Sequence, residues 1–130
     1  MEYVYNDGGR SQYFKAECVG DCVCRAIAIV TEKDYKEVYN TIKEITGENP
    51  RNGLSKKGTR DVCAYYGGEW VATMKIGSGC KVHLSKDELP DGKLICNVSR
   101  HVTCVIDGVI YDTYDCSRDG KRCVYGYWKF

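Results

Sequence analysis

Residues 99–115 read SRHVTCVIDGVIYDTYD. Two apolar runs flank Asp107-Gly108, and Asp-Gly suits a two-residue hairpin turn because both central residues take positive φ there. The spacing predicts a strand over 101–106 and an antiparallel return over 109–114. The turn pairs Ile106 with Val109. Counting outward sets His101 opposite Tyr114 and Thr103 opposite Asp112. Side chains alternate across a strand, so residues 101 and 103 share a face with 112 and 114. His101 and Asp112 are then diagonal neighbours within reach of a side-chain hydrogen bond.

The chain on either side of this hairpin follows two different periods. Towards the C-terminus, "VYGYWKF" closes the sheet with a strand over 125–130, and its tyrosines read as sheet core. Just upstream, residues 93–98 and 70–75 read as strands, with one helical turn over 85–89. The first half is helical apart from a short strand over 3–5. A mostly apolar helix over 21–30 should be central and buried, capped by Gly20 or Asp21. A second helix over 33–46 carries Tyr35, Val38, Tyr39, Ile42 and Ile45 on one face. Thr31 and Asp34 give it an approximate capping box, and Gly47 stops it. A third runs over 56–66. Helices first and antiparallel strands after predict an α+β fold, with N-terminal helices on a C-terminal antiparallel sheet, in one domain spanning 1–130.

Composition excludes several classes. Nineteen basic and eighteen acidic residues give a net charge of +1, so no general electrostatic case for nucleic acid exists. No apolar run reaches the roughly 20 residues that span a bilayer. "MEYVYNDGG" has neither the basic start nor the apolar stretch of a secretory signal. The expectation is a cytoplasmic protein with no membrane or nucleic-acid partner. Nine cysteines, an odd number without an export signal, predict free thiols and no disulfide.

Two of those thiols stand in "GDCVCRAIAIV", residues 20–30, where the first long helix begins. A nucleophilic thiol needs a lowered pKa, a base within hydrogen-bond reach and a third group to orient that base. Cys22 at a helix start gains the first from the helix dipole and the unpaired amides. Those amides also suit a developing oxyanion. His101 can supply the base and Asp112 the orienting carboxylate. Cys24 points elsewhere. Asp115 is the alternative third member, but faces away in a regular strand. Arg25 is either a surface charge or an anchor for a nearby carboxylate.

The run "GDCVCRAIAIVTEKDYKEVY" resembles the nucleophile helix of papain-like cysteine peptidases. It is nearest to the small bacteriocin-processing-type peptidase domains, and it is similar to small phage and bacterial proteins with an Asp-Cys helix and a later His-to-Asp hairpin. The order agrees: cysteine on the first long helix, histidine on a strand, aspartate on the next. The resemblance covers residues 20–40 and 99–116. It implies a papain-like fold and a cysteine hydrolase acting on a peptide, isopeptide or related amide, with Cys22 as nucleophile, His101 as base and Asp112 as orienter. It implies no cofactor or metal, and a protein or peptide as substrate, in a host cytoplasm if the chain is phage-encoded. The family's oxyanion-hole glutamine is replaced at the matching spacing by Ala16. Gln12 lies further upstream and could take that role only if the loop bulges. After Cys22, Cys24 is the second candidate nucleophile; Gln12 keeps the family spacing to Cys18, which makes Cys18 a third.

Two other readings compete. Cys18, Cys22 and Cys24 resemble half of a zinc site, but no second compact cysteine pair follows, since Cys116 and Cys123 are too far apart. The missing glutamine also leaves room for a catalytically silent papain-fold binding protein, such as a phage-encoded modulator of a host protein.

Overall fold

The computed structural model describes residues 1–15 and 20–130; Cys18 and Ala16 lie outside the described residues. Strand β1 (Glu2–Tyr5) leads through a 3-10 turn (Arg10–Gln12) to three helices, α1 (Cys22–Thr31), α2 (Tyr35–Thr46) and α3 (Lys56–Tyr65). Strands β2 (Glu69–Ala72) and β3 (Val82–His83) follow, then a 3-10 turn (Lys86–Glu88). Strands β4 (Lys93–Val98), β5 (His101–Ile106), β6 (Val109–Asp112), β7 (Cys123–Val124) and β8 (Gly126–Lys129) complete the chain. The class is α+β, with a six-stranded sheet ordered β1-β6-β5-β4-β8-β2 and a two-stranded ribbon β3-β7.

The hairpin forms in the expected register, Ile106 opposite Val109 and Cys104 opposite Tyr111. Asp107 and Gly108 have φ of 49° and 80°, both in the left-handed region a two-residue turn of this kind requires. The sheet is not wholly C-terminal or wholly antiparallel, because β1 pairs in parallel with β6. No local signal marks this pairing, since it joins the first strand to one laid down a hundred residues later. The β3-β7 ribbon was likewise not expected; two-residue strands carry no readable alternation.

Central strands β4 and β5 are buried almost without interruption, because both faces of the sheet are covered. On one face Ile95, Val102, Cys104 and Trp128 pack with α1 and α2 residues Val23, Ile27, Val30, Tyr35, Val38 and Ile42. On the other, Leu94, Cys96, Val98, Val105 and Ile110 pack under Leu84, Leu89, Cys116 and Val124. Helix α1 is buried on nearly every side, including Arg25.

Two expected details change. Thr31 does not cap α2: it ends α1, its hydroxyl donating to the Ile27 carbonyl at 2.6 Å. Asp34 is the cap, its carboxylate accepting the Lys36 and Glu37 amides, which satisfies two otherwise unpaired donors. Second, Cys80 and Cys123 form a disulfide that ties the segment before β3 to β7. The expectation of nine free thiols is therefore corrected. An odd count leaves one cysteine over but does not forbid a pair, and β3-β7 pairing brings these two together. The cysteine count accordingly no longer argues for a reducing compartment. No helix among the described residues is long and apolar enough to cross a membrane.

Candidate active site

Helix α1 begins at Cys22 with Asp21 at its N-cap position, yet the Asp21 side chain caps nothing. It is fully buried and turned aside, holding Arg10 at 3.1 Å and Arg25 at 3.4 Å and accepting the Tyr35 hydroxyl at 2.8 Å. With no side chain among the described residues bonded to them, the first amides of α1 keep the partial positive charge of a helix start. Gly8 (φ +68°) lets the loop after β1 lie against α1, since a Cβ there would come within 2.9 Å of the Arg25 carbonyl.

His101 opens β5 and Asp112 closes β6. Their side chains meet, His101 Nε2 lying 2.7 Å from Asp112 Oδ2. Tyr114 packs against the His101 ring, with centroids 5.3 Å apart, although β6 ends at Asp112 and not at 114 as the pattern predicts. Asp112 is buried and well supported: Thr103 donates its hydroxyl to Oδ2 at 2.7 Å, the Thr113 amide donates to Oδ1 at 2.7 Å, and Arg25 lies 3.5 Å from Oδ1. Arg25 thus joins the helix start to the histidine's carboxylate, the anchor reading rather than the surface one.

His101 and the Val102 N–H both favour the ionised form of the Cys22 thiol. The availability of the Val102 N–H has a topological cause. In a two-residue hairpin the residues flanking the turn exchange hydrogen bonds, and alternate residues outward repeat this. Val102 therefore aims its N–H towards β6, but β6 ends at Asp112 and ladder pairing stops at Cys104–Tyr111. Among the described residues this amide has no ladder partner, and it favours the Cys22 thiolate. Burial pushes the Cys22 thiol up, but the hydrogen bond and charge of His101, the Val102 amide and Arg25 outweigh it and hold the thiol below its ordinary value. Burial would likewise depress His101, but hydrogen bonds to Asp112, Cys116 and Cys22 and the Asp112 charge push it up to about 12. Burial raises Asp112, yet His101, Thr103 and the Thr113 amide bring it below the usual carboxylate range.

The other sequence candidates stand apart from this cluster. Cys24 is fully buried, its Sγ 3.8 Å from the Tyr35 carbonyl, and burial pushes it up to about 12. Asp115 is exposed and bonded to Ser117. Gln12 has an exposed side chain with no hydrogen bond among the described residues. His83 pairs with Glu88 at 3.1 Å. Sequence reasoning set Thr103 opposite Asp112 but gave no role to it, to the Val102 amide or to Cys116. Thr103 was legible, since the same register that faces His101 towards Asp112 sets Thr103 opposite Asp112. No family model, curated protein or solved structure matches the chain.

Proposed function

We propose that the protein is a papain-like cysteine hydrolase that cleaves an amide, either a peptide or an isopeptide bond, with Cys22, His101 and Asp112 as its triad. The observation that carries this reading is a helix-start thiol held below its ordinary value by a histidine whose Nε2 is 2.7 Å from a buried carboxylate. Asp112 fixes the ring through Nε2, which leaves Nδ1 to serve the thiol. The thiolate attacks the carbonyl carbon, and the oxyanion that forms is held by the free amides at the start of α1, a role that needs no Gln12. The imidazolium protonates the departing amine, leaving a thioester on Cys22. His101 then takes a proton from water, which attacks the thioester and releases the acid and the thiol.

The test is iodoacetamide labelling against pH, read by peptide mass. Cys22 should react well below pH 8.5, the ordinary thiol value, while Cys24, Cys63 and Cys104, which burial pushes up to about 12, stay unlabelled in the native protein. His101→Ala should abolish the low-pH reaction, and His83→Ala should leave it intact. An activated ester such as p-nitrophenyl acetate should give a burst with acetyl on Cys22. A low-pH labelling profile without a burst would instead favour the catalytically silent binding protein, and no low-pH labelling would remove the reading.

A further inference from the structure

Cys116 is the thiol at this cluster that the hydrolase reading does not use. It is buried, with its Sγ 3.8 Å from Asp112 Oδ2. Its position is built, not incidental. Asp115 holds Ser117 through both the amide, at 3.0 Å, and the hydroxyl, at 2.7 Å. Arg122 pins the Cys116 carbonyl at 3.4 Å and the Ser99 carbonyl at 2.6 Å, tying this loop to the turn before His101. One ligand atom each from His101, Asp112 and Cys116 lies within 4.8 Å of the others.

We propose that His101, Asp112 and Cys116 form a three-ligand site for a thiophilic divalent transition ion of the Zn²⁺ class, whose occupancy switches off the triad. One nitrogen, one thiolate and one carboxylate oxygen select zinc or cobalt over magnesium or calcium. Ligands about 2.0–2.3 Å from a tetrahedral ion lie roughly 3.3–3.8 Å apart. The 3.8 Å between Cys116 and Asp112 already fits. The 2.7 Å between His101 and Asp112 is held by a shared proton, and opens when the ion replaces it. The outer contacts suit the task, because Thr103, the Thr113 amide and Arg25 orient the carboxylate. An ion on His101 Nε2 removes the Asp112 hydrogen bond that orients the ring, so a bound metal and a working base exclude one another. The inhibitory half of the proposal rests on the hydrolase reading; metal binding itself does not, since Cys22 is not a ligand.

Titrating the untagged, metal-free protein with Co²⁺ tests it. One ion per chain should bind with a thiolate-to-cobalt charge-transfer band. Cys116→Ser should lose that band, Asp112→Asn should weaken binding at least roughly tenfold, and Cys22→Ser should retain both band and stoichiometry. In the wild-type protein Co²⁺ should shift the ring protons of His101 and not those of His83, a readout that needs no variant to fold. No band, a band that survives Cys116→Ser, or a shift confined to His83 overturns the site. Zn²⁺ should also slow Cys22 alkylation at low pH. Failure of that effect with the cobalt band intact would remove only the inhibition, and absence of low-pH alkylation with the band intact would remove only the hydrolase.

Discussion

Replacing Arg25 with alanine probes the link that holds the nucleophile's helix to the histidine's carboxylate. The guanidinium is buried; Nη1 lies 3.4 Å from Asp21, Nη2 lies 3.5 Å from Asp112, and Nη1 donates to the Thr113 hydroxyl at 3.2 Å. Removing one partner of a buried ion pair costs about 3–5 kcal/mol, because it strands a charge. Here neither carboxylate is stranded. Asp21 keeps Arg10 and Tyr35; Asp112 keeps His101, Thr103 and the Thr113 amide. The expected loss is instead that of the hydrogen bonds Arg25 makes to charged groups, about 3 kcal/mol at most. With a urea m-value of roughly 1.5 kcal/mol/M, the unfolding midpoint should fall by up to about 2 M. Tryptophan fluorescence can follow it, since Trp128 is buried against Trp70 with rings 4.6 Å apart. Against an Asp112→Asn background the same change should cost at least about 1 kcal/mol less, the coupling expected of contacting charges. A midpoint shift under about 0.5 M, or strict additivity with Asp112→Asn, would refute the argument that Arg25 bridges the two acids.

Stability against pH should reveal the thiolate–imidazolium pair. A raised His101 stabilises fully below its unfolded value of 6.5 and loses that contribution as pH climbs towards its folded value of about 12. A lowered Cys22 does the opposite, adding stability as pH rises towards its unfolded value of 9.0, so in the wild type the two slopes offset between neutrality and pH 9. In Cys22→Ser the histidine slope stands alone, and urea midpoints should fall steadily over that window; a flat profile there would contradict a raised His101, and an equally steep fall in the wild type would contradict the pairing. Asp112, whose value is lowered from 3.8, should contribute stability that is lost as pH falls below about 4, and Asp112→Asn should flatten that acid limb. Thiol titration of the oxidised protein in denaturant should find two fewer thiols than after reduction, and Cys80→Ser should abolish the difference. Full recovery without reductant would exclude the Cys80–Cys123 bond.

Local pattern carried most of the elements. The stripe Tyr35, Val38, Ile42 marked α2 because a helix must bury one face, and Asp107-Gly108 marked the hairpin because few other residue pairs tolerate its dihedrals. Since side chains alternate strictly along a strand, that turn also determined which residues face Asp112. His101 and Thr103 were therefore within reach of it on sequence grounds alone.

The tertiary structure decided what no periodicity encodes. The parallel pairing of β1 with β6 and the Cys80–Cys123 bond depend on contacts between segments far apart in the chain. So does the influence of His101 on Cys22, since one comes from the start of a central strand and the other from the helical layer. The Val102 amide lacks a ladder partner because β6 stops at Asp112 while β5 runs on. Arg25 sits in a helix that looks merely apolar around it, and it became a buried bridge because packing brought two acids to its guanidinium. Sequence spacing can specify a register, because backbone geometry repeats. It cannot specify which distant surfaces close over a charge, because that follows from how the whole core packs.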